Sequence, residues 1–137
     1  MGRKKKTKTN NVQQYYHTSP FDIYIETSQI PNAGYGVYTK EFIPEGSVVD
    51  EYYGELYEIQ HSPSRYYLEI DKGVGIDAFN YPRCYMAMIN DTYGTGHTIN
   101  CEFVCDKEAR RAYIRCLKDI QPNTELFVSY GNAYWGI

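Results

Sequence analysis

Long apolar runs, helical periodicity and metal-ligand spacing are all scarce in this chain of 137 residues. No apolar stretch approaches the roughly 20 residues that a membrane-spanning helix needs, and none reads as a secretory leader. No long amphipathic helix is visible, which excludes a helical bundle. Cys84, Cys101, Cys105 and Cys116 contain no Cys-x-x-Cys pair, and His17, His61 and His97 do not fall at zinc spacing. No metal site is therefore expected, and the thiols are expected to be buried and reduced. None of the histidines lies near a Ser or Cys nucleophile motif, so a nucleophilic triad is not expected. The opening Met1-Gly2 suggests N-myristoylation, but Lys6 stands where that motif requires Ser or Thr.

Tyrosine is abundant instead, with 16 residues against 5 Phe and 1 Trp. Tyrosine supplies apolar area and a hydroxyl together, which suits a cavity with an apolar wall and a polar end. Charge is divided unevenly. Arg3, Lys4, Lys5, Lys6 and Lys8 crowd the first ten residues without an acid, so the rest of the chain carries all 17 acidic side chains against 9 of the 14 basic ones. An acidic body attracts a basic partner and is the wrong sign for duplex DNA. A merely soluble acidic surface explains the charge equally well.

Residues 1–14 read as a basic, disordered tail. It could act as a nuclear address, a weak nucleic-acid contact or a solubilising arm. From Phe21 the periodicity is that of strands. Short strands are expected over Asp22–Glu26, Val37–Thr39, Val48–Tyr53, Tyr66–Ile70, Val74–Asp77, Cys101–Cys105, Arg111–Leu117 and Leu126–Val128. Gly34-Tyr35-Gly36, Pro44-Glu45-Gly46, Gln60–Ser64 and the Gly94/Gly96 segment read as loops. Arg83–Asn90 is the one passable helical turn. The reading is one mainly β domain with little helix.

The stretches that carry chemistry are each weak alone. Gly34-Tyr35-Gly36 is not followed by a helix, so a dinucleotide fold fails on context. Two glycines around an aromatic do let backbone approach a ligand. Glu51-Tyr52-Tyr53-Gly54-Glu55, Ile76-Asp77-Ala78, Ile89-Asn90-Asp91, Asn100-Cys101 and Glu125-Leu126-Phe127-Val128-Ser129-Tyr130-Gly131 follow in order, with Ile43-Pro44-Glu45-Gly46 between the first two.

This colinear series resembles the SET domain, the protein-lysine methyltransferase fold, over about residues 21–135. The resemblance implies several small β-sheets with a knot-like C-terminal crossing. It also implies an S-adenosylmethionine site on one face and a lysine channel entering from the other. By position, Gly34, Tyr35 and Gly36 would lie along the cofactor. Asn90 matches the Asn of the family's Asn-His motif, and Asp91 stands where the His does. Tyr130 and Tyr52 match the catalytic channel tyrosines, with Phe103, Val128 and Tyr134 also in the channel and Trp135 closing over the cofactor. Val128 replaces a larger family aromatic, which suggests methylation beyond the first methyl unless Phe103 fills the space. Met86-Ala87-Met88 lacks a basic residue that the family carries, the loop between Asp91 and Asn100 is long, and the family's Cys-rich zinc tail is absent.

The expected activity is S-adenosylmethionine-dependent methylation of a lysine in a basic protein, a histone tail foremost. The alternatives are a non-catalytic SET-like binding module, or an enzyme for a non-histone protein or for its own Lys4–Lys8 tail. A nuclear or chromatin location goes with a eukaryotic cell or host, and a cytoplasmic one otherwise. No membrane partner is expected, and the oligomeric state is open.

Overall fold

The computed structural model describes residues 14–58 and 64–131. Its strands are β1 (Tyr15–Tyr16), β2 (Ile23–Thr27), β3 (Tyr35–Thr39), β4 (Val48–Glu51), β5 (Glu55–Tyr57), β6 (Tyr67–Asp71), β7 (Val74–Asp77), β8 (Arg83–Cys84), β9 (Asn90–Asp91), β10 (Cys101–Asp106), β11 (Arg111–Cys116) and β12 (Thr124–Val128). A short 3-10 turn, Tyr85–Met88, lies between β8 and β9. The fold is mainly β and built of small sheets, in the orders β2-β3-β12-β9, β10-β11-β4, β5-β7-β6 and β1-β8.

Side-chain alternation explains the peripheral strands. Along β11, Ala112, Ile114 and Cys116 are buried while Arg111 and Arg115 are exposed, the period of a strand with one face on a core. β12 differs. Glu125, Leu126, Phe127 and Val128 are all buried, because the strand is paired antiparallel to β3 and parallel to β9 and covered on both faces. The core gathers Val37, Ile43, Val49, Met86, Ile89, Ile114, Ile120 and Leu126 around it. Cys84, Cys101 and Cys116 are buried thiols and Cys105 is exposed. Cys101 and Cys116 face each other across β10 and β11, and their contact together with burial pushes the Cys101 thiol up.

The segment before β10 is laced to β12. The Asn100 side chain donates to the Glu125 carbonyl at 2.9 Å and accepts the Phe127 amide at 2.8 Å. Its own amide donates to the Phe127 carbonyl at 3.1 Å. β9 and Asn100 thus grip the last strand from one side while β3 holds the other, which forms the C-terminal crossing.

Three local expectations change. Tyr35 and Gly36 belong to strand β3 rather than to a loop, since Tyr35 pairs with Thr27 and Gly36 with Glu26. Within Arg83–Asn90 the helical turn is narrower than expected, a 3-10 turn over Tyr85–Met88 between β8 and β9; the Arg83 side chain is buried and its Nε donates to the Ala78 carbonyl at 3.0 Å, which holds the start of the segment extended. Upstream of Phe21, β1 pairs parallel with β8, and Thr18 donates to Asp50 through its amide at 3.0 Å and its hydroxyl at 2.7 Å. The expected tail up to residue 13, most of the Gln60–Ser64 loop, Tyr134 and Trp135 lie outside the described residues.

Candidate active site

One cavity of about 310 Å³ collects residues from distant parts of the chain, Tyr35, Tyr52, Asn90, Asp91, Phe103 and Tyr130 among them. Its first wall is the loop before β3. Ile30, Pro31, Asn32 and Ala33 line it, and a buried carboxylate fixes the start of that loop. Glu125, at 0% exposure, accepts the Ser28 hydroxyl at 2.7 Å and the Gln29 amide at 2.9 Å. Room for that carboxylate comes from Gly36, where any Cβ would collide with it. Gly34 does not line the cavity and supplies a left-handed turn, φ 72°, on the way into β3.

Asn90 joins this wall to the next. Its Nδ2 donates to the Tyr35 carbonyl at 3.0 Å. Asp91 then takes two backbone amides, that of Tyr93 at 2.7 Å and that of Tyr130 at 2.6 Å. The residue that departs from the family pattern therefore aims both the start of the long loop and the C-terminal tyrosine. That loop is itself a capped turn. The Thr95 amide and hydroxyl both donate to the Thr92 carbonyl, at 2.9 and 2.6 Å, and Tyr93 and Thr95 reach the cavity.

The phenols form the inner end. The Tyr52 hydroxyl donates to the Tyr66 carbonyl at 2.7 Å and the Tyr130 hydroxyl to the Ile89 carbonyl at 2.6 Å. Tyr52 is 5% exposed, and burial, with added repulsion from Cys84 and Tyr130, holds its phenol well above the usual tyrosine range. It is therefore neutral at any physiological pH. Phe103 meets the Tyr52 ring edge-on, 6.0 Å between centroids.

Val128 was expected in the channel but is fully buried and does not line the cavity. It sits on a strand paired on both sides, so its side chain belongs to the core. Residues not assigned to the site from the sequence also line the wall, notably Arg65 and Tyr66 just before β6, Tyr67 and Leu68 at its start, and Met86 to Ile89. The hairpin signal at β6 concealed the first group, because periodicity reports pairing and not which face meets a ligand. Among the described residues no cluster of His, Cys, Asp or Glu is arranged to hold a metal, and no helix is long and apolar enough to cross a membrane.

The wall is rich in aromatic side chains, with Tyr35, Tyr52, Tyr66, Tyr67, Tyr93, Phe103 and Tyr130 among its lining residues. Aromatic faces stabilise an onium charge, and the gap kept open at Gly36 lets the Tyr35–Gly36 backbone come close to the Asn90 amide.

No curated protein matches the chain. Solved structures do. A crystal structure of KRYPTONITE in complex with mCHG DNA and SAH superposes with a TM-score of 0.64 at 25% identity, covering 82% of this chain and 24% of that one. The Chaetomium thermophilum polycomb repressive complex 2 gives 0.62 at 26% identity, covering 81% of this chain and 15% of that one. The chain thus spans a small part of the length of either neighbour. The SET-domain profile matches residues 34–131, which includes Tyr52 and Tyr130, the Asn90-Asp91 pair and β12, and the chain belongs to the SET-domain family.

Proposed function

We propose that this protein is a protein-lysine N-methyltransferase that takes its methyl group from S-adenosylmethionine and acts on a basic protein segment, a histone tail foremost. The observation that carries the reading is the state of the two phenols. Tyr52 and Tyr130 each donate their one hydroxyl proton to a backbone carbonyl, so each oxygen keeps only lone pairs to offer a ligand. An amine presents N–H groups to such acceptors. Holding them fixes the direction of the nitrogen lone pair.

S-adenosylmethionine supplies a methyl group on a sulfonium, with a neutral thioether as leaving group. The chain's task is alignment and desolvation. A lysine amine, with an ordinary pKa of about 10.4, is almost wholly protonated near neutral pH, and freeing the base costs roughly 4–5 kcal/mol. The wall of Phe103, Tyr52 and Met86 penalises the charged form. Alignment of the freed amine by the hydroxyls can lower the barrier by several kcal/mol. Asn90 and the loop tied down by Glu125 hold the donor side. Tyr52, Phe103 and Tyr130 hold the acceptor side. The acidic body outside the tail favours encounter with a basic chain, and a histone substrate implies a chromatin location.

Incubation of the full chain with methyl-labelled cofactor and a panel of core histones tests the reading. Label on histone lysines that vanishes in Tyr130→Phe supports it. Cofactor binding by calorimetry with no transfer to any basic protein would instead indicate a binding module.

A further inference from the structure

The cavity wall carries one charge of each sign. Among its described lining residues Arg65 is the one basic side chain and Asp91 the one acid. Asp91 is already occupied, because its two carboxylate oxygens accept the Tyr93 and Tyr130 amides. Arg65 forms no ion pair with any described residue. Its guanidinium carbon lies 5.8 Å from the Tyr66 ring centroid, a contact that steadies the side chain without neutralising it. The 3-10 turn that also lines the cavity presents Met86, Ala87 and Met88, none of which carries charge.

Arg65 is an exposed residue in this lining, and without a counter-ion its guanidinium can take a planar anion. Its fork of N–H donors matches a carboxylate in two parallel hydrogen bonds. Resting on the methyltransferase reading above, we propose that Arg65 binds the α-carboxylate of the cofactor's methionine end. That end of the ligand is a zwitterion, so it needs one cation for the carboxylate and acceptors for the ammonium. The wall offers a single cation. Arg65 lies just before β6, far in sequence from the Gly34–Gly36 and Asn90 stretches, so the assignment adds a third anchor to the cofactor.

Calorimetry with a matched ligand pair tests this: S-adenosylhomocysteine and its decarboxylated analogue, which keeps the amine and the nucleoside. Wild type should bind the carboxylate-bearing ligand about 10- to 100-fold more tightly than the analogue, the range for hydrogen bonds to a charged group. Arg65→Gln should lose most of that factor for S-adenosylhomocysteine and leave the analogue within about twofold. Arg65→Lys, which keeps the charge but not the fork, should fall between. Equal weakening of both ligands by Arg65→Gln, or of neither, overturns the assignment. So does a variant whose only defect is a raised KM for the protein substrate. A wild type that binds neither ligand overturns the methyltransferase reading itself, so the two failures are distinguishable.

Discussion

Asp91 and Tyr130, 39 positions apart, meet through one hydrogen bond: the Asp91 carboxylate accepts the Tyr130 backbone amide at 2.6 Å. The other oxygen of the same carboxylate holds Tyr93. The carboxylate therefore sets where the C-terminal phenol enters the cavity, and a neutral or bulkier residue cannot hold both amides at once. Asp91→Ala should cost about 1.5–3 kcal/mol of stability and lower kcat more than it raises KM for the cofactor. Asp91→His, which installs the residue usual in the family, should not restore wild-type turnover. Steady-state kinetics beside urea unfolding checks both; an Asp91→His enzyme as fast as wild type would show that the two backbone contacts are dispensable.

The phenol hydroxyls have separable effects. Tyr130→Phe should keep cofactor affinity within a few-fold and lose at least about 100-fold in kcat, since alignment of the amine is removed. Both Tyr130→Phe and Tyr52→Phe should also unfold more easily, by about 1–2 kcal/mol, because their hydroxyls satisfy the Ile89 and Tyr66 carbonyls. A Tyr130→Phe enzyme with undiminished turnover would remove the hydroxyl from the mechanism.

Much of this was legible in the sequence, and what was not has physical causes. The hairpin of β6 and β7 and the pairing of β10 with β11 follow from period-two alternation between turn residues. β1 was not legible, because two residues paired in parallel to Arg83 and Cys84 carry no periodicity. The Arg83–Asn90 stretch reads as helical by spacing, yet the buried Arg83 bonds force it to start extended. The tyrosines were legible as motif members. Glu125 stood in the last motif, but its bond to Ser28 spans 97 positions, and no local pattern reports a contact of that range.

That long-range contact makes a coupling prediction. Glu125→Ala should destabilise by about 2–4 kcal/mol, leaving the Ser28 hydroxyl and Gln29 amide without their acceptor. Gly36→Ala should destabilise on its own, because its new Cβ meets the Glu125 carboxylate. In the Glu125→Ala background that clash is gone, so Gly36→Ala should cost at least about 1 kcal/mol less. Strict additivity in a denaturant double-mutant cycle would deny that the two share a space.

Alkaline pH should weaken the fold. Burial pushes the Tyr15 and Tyr38 phenols up to about 12 from 10.0. The folded chain therefore holds these protons more tightly than the unfolded chain does, and unfolding releases them. Their contribution is complete below pH 10 and is lost as pH rises from 10 towards 12. Tyr38→Phe should flatten that fall in a series of thermal melts across the window, whereas an unchanged slope would contradict the assignment.

On the proposed methyltransferase reading, the placement of Phe103 and Val128 predicts which residue controls how many methyl groups are added. Val128 lies in the core at 0% exposure, so Val128→Ala should cost about 1–3 kcal/mol through a small cavity and leave the product distribution alone. Phe103 lines the cavity and packs edge-on against Tyr52, beside the position proposed for the amine. Enlarging the site there makes room for a nitrogen that already carries methyl groups. Phe103→Ala should therefore move a methylated peptide towards its more highly substituted forms, read by intact mass, while Val128→Ala at matched turnover should not. The opposite pattern would return control of the product to the C-terminal strand.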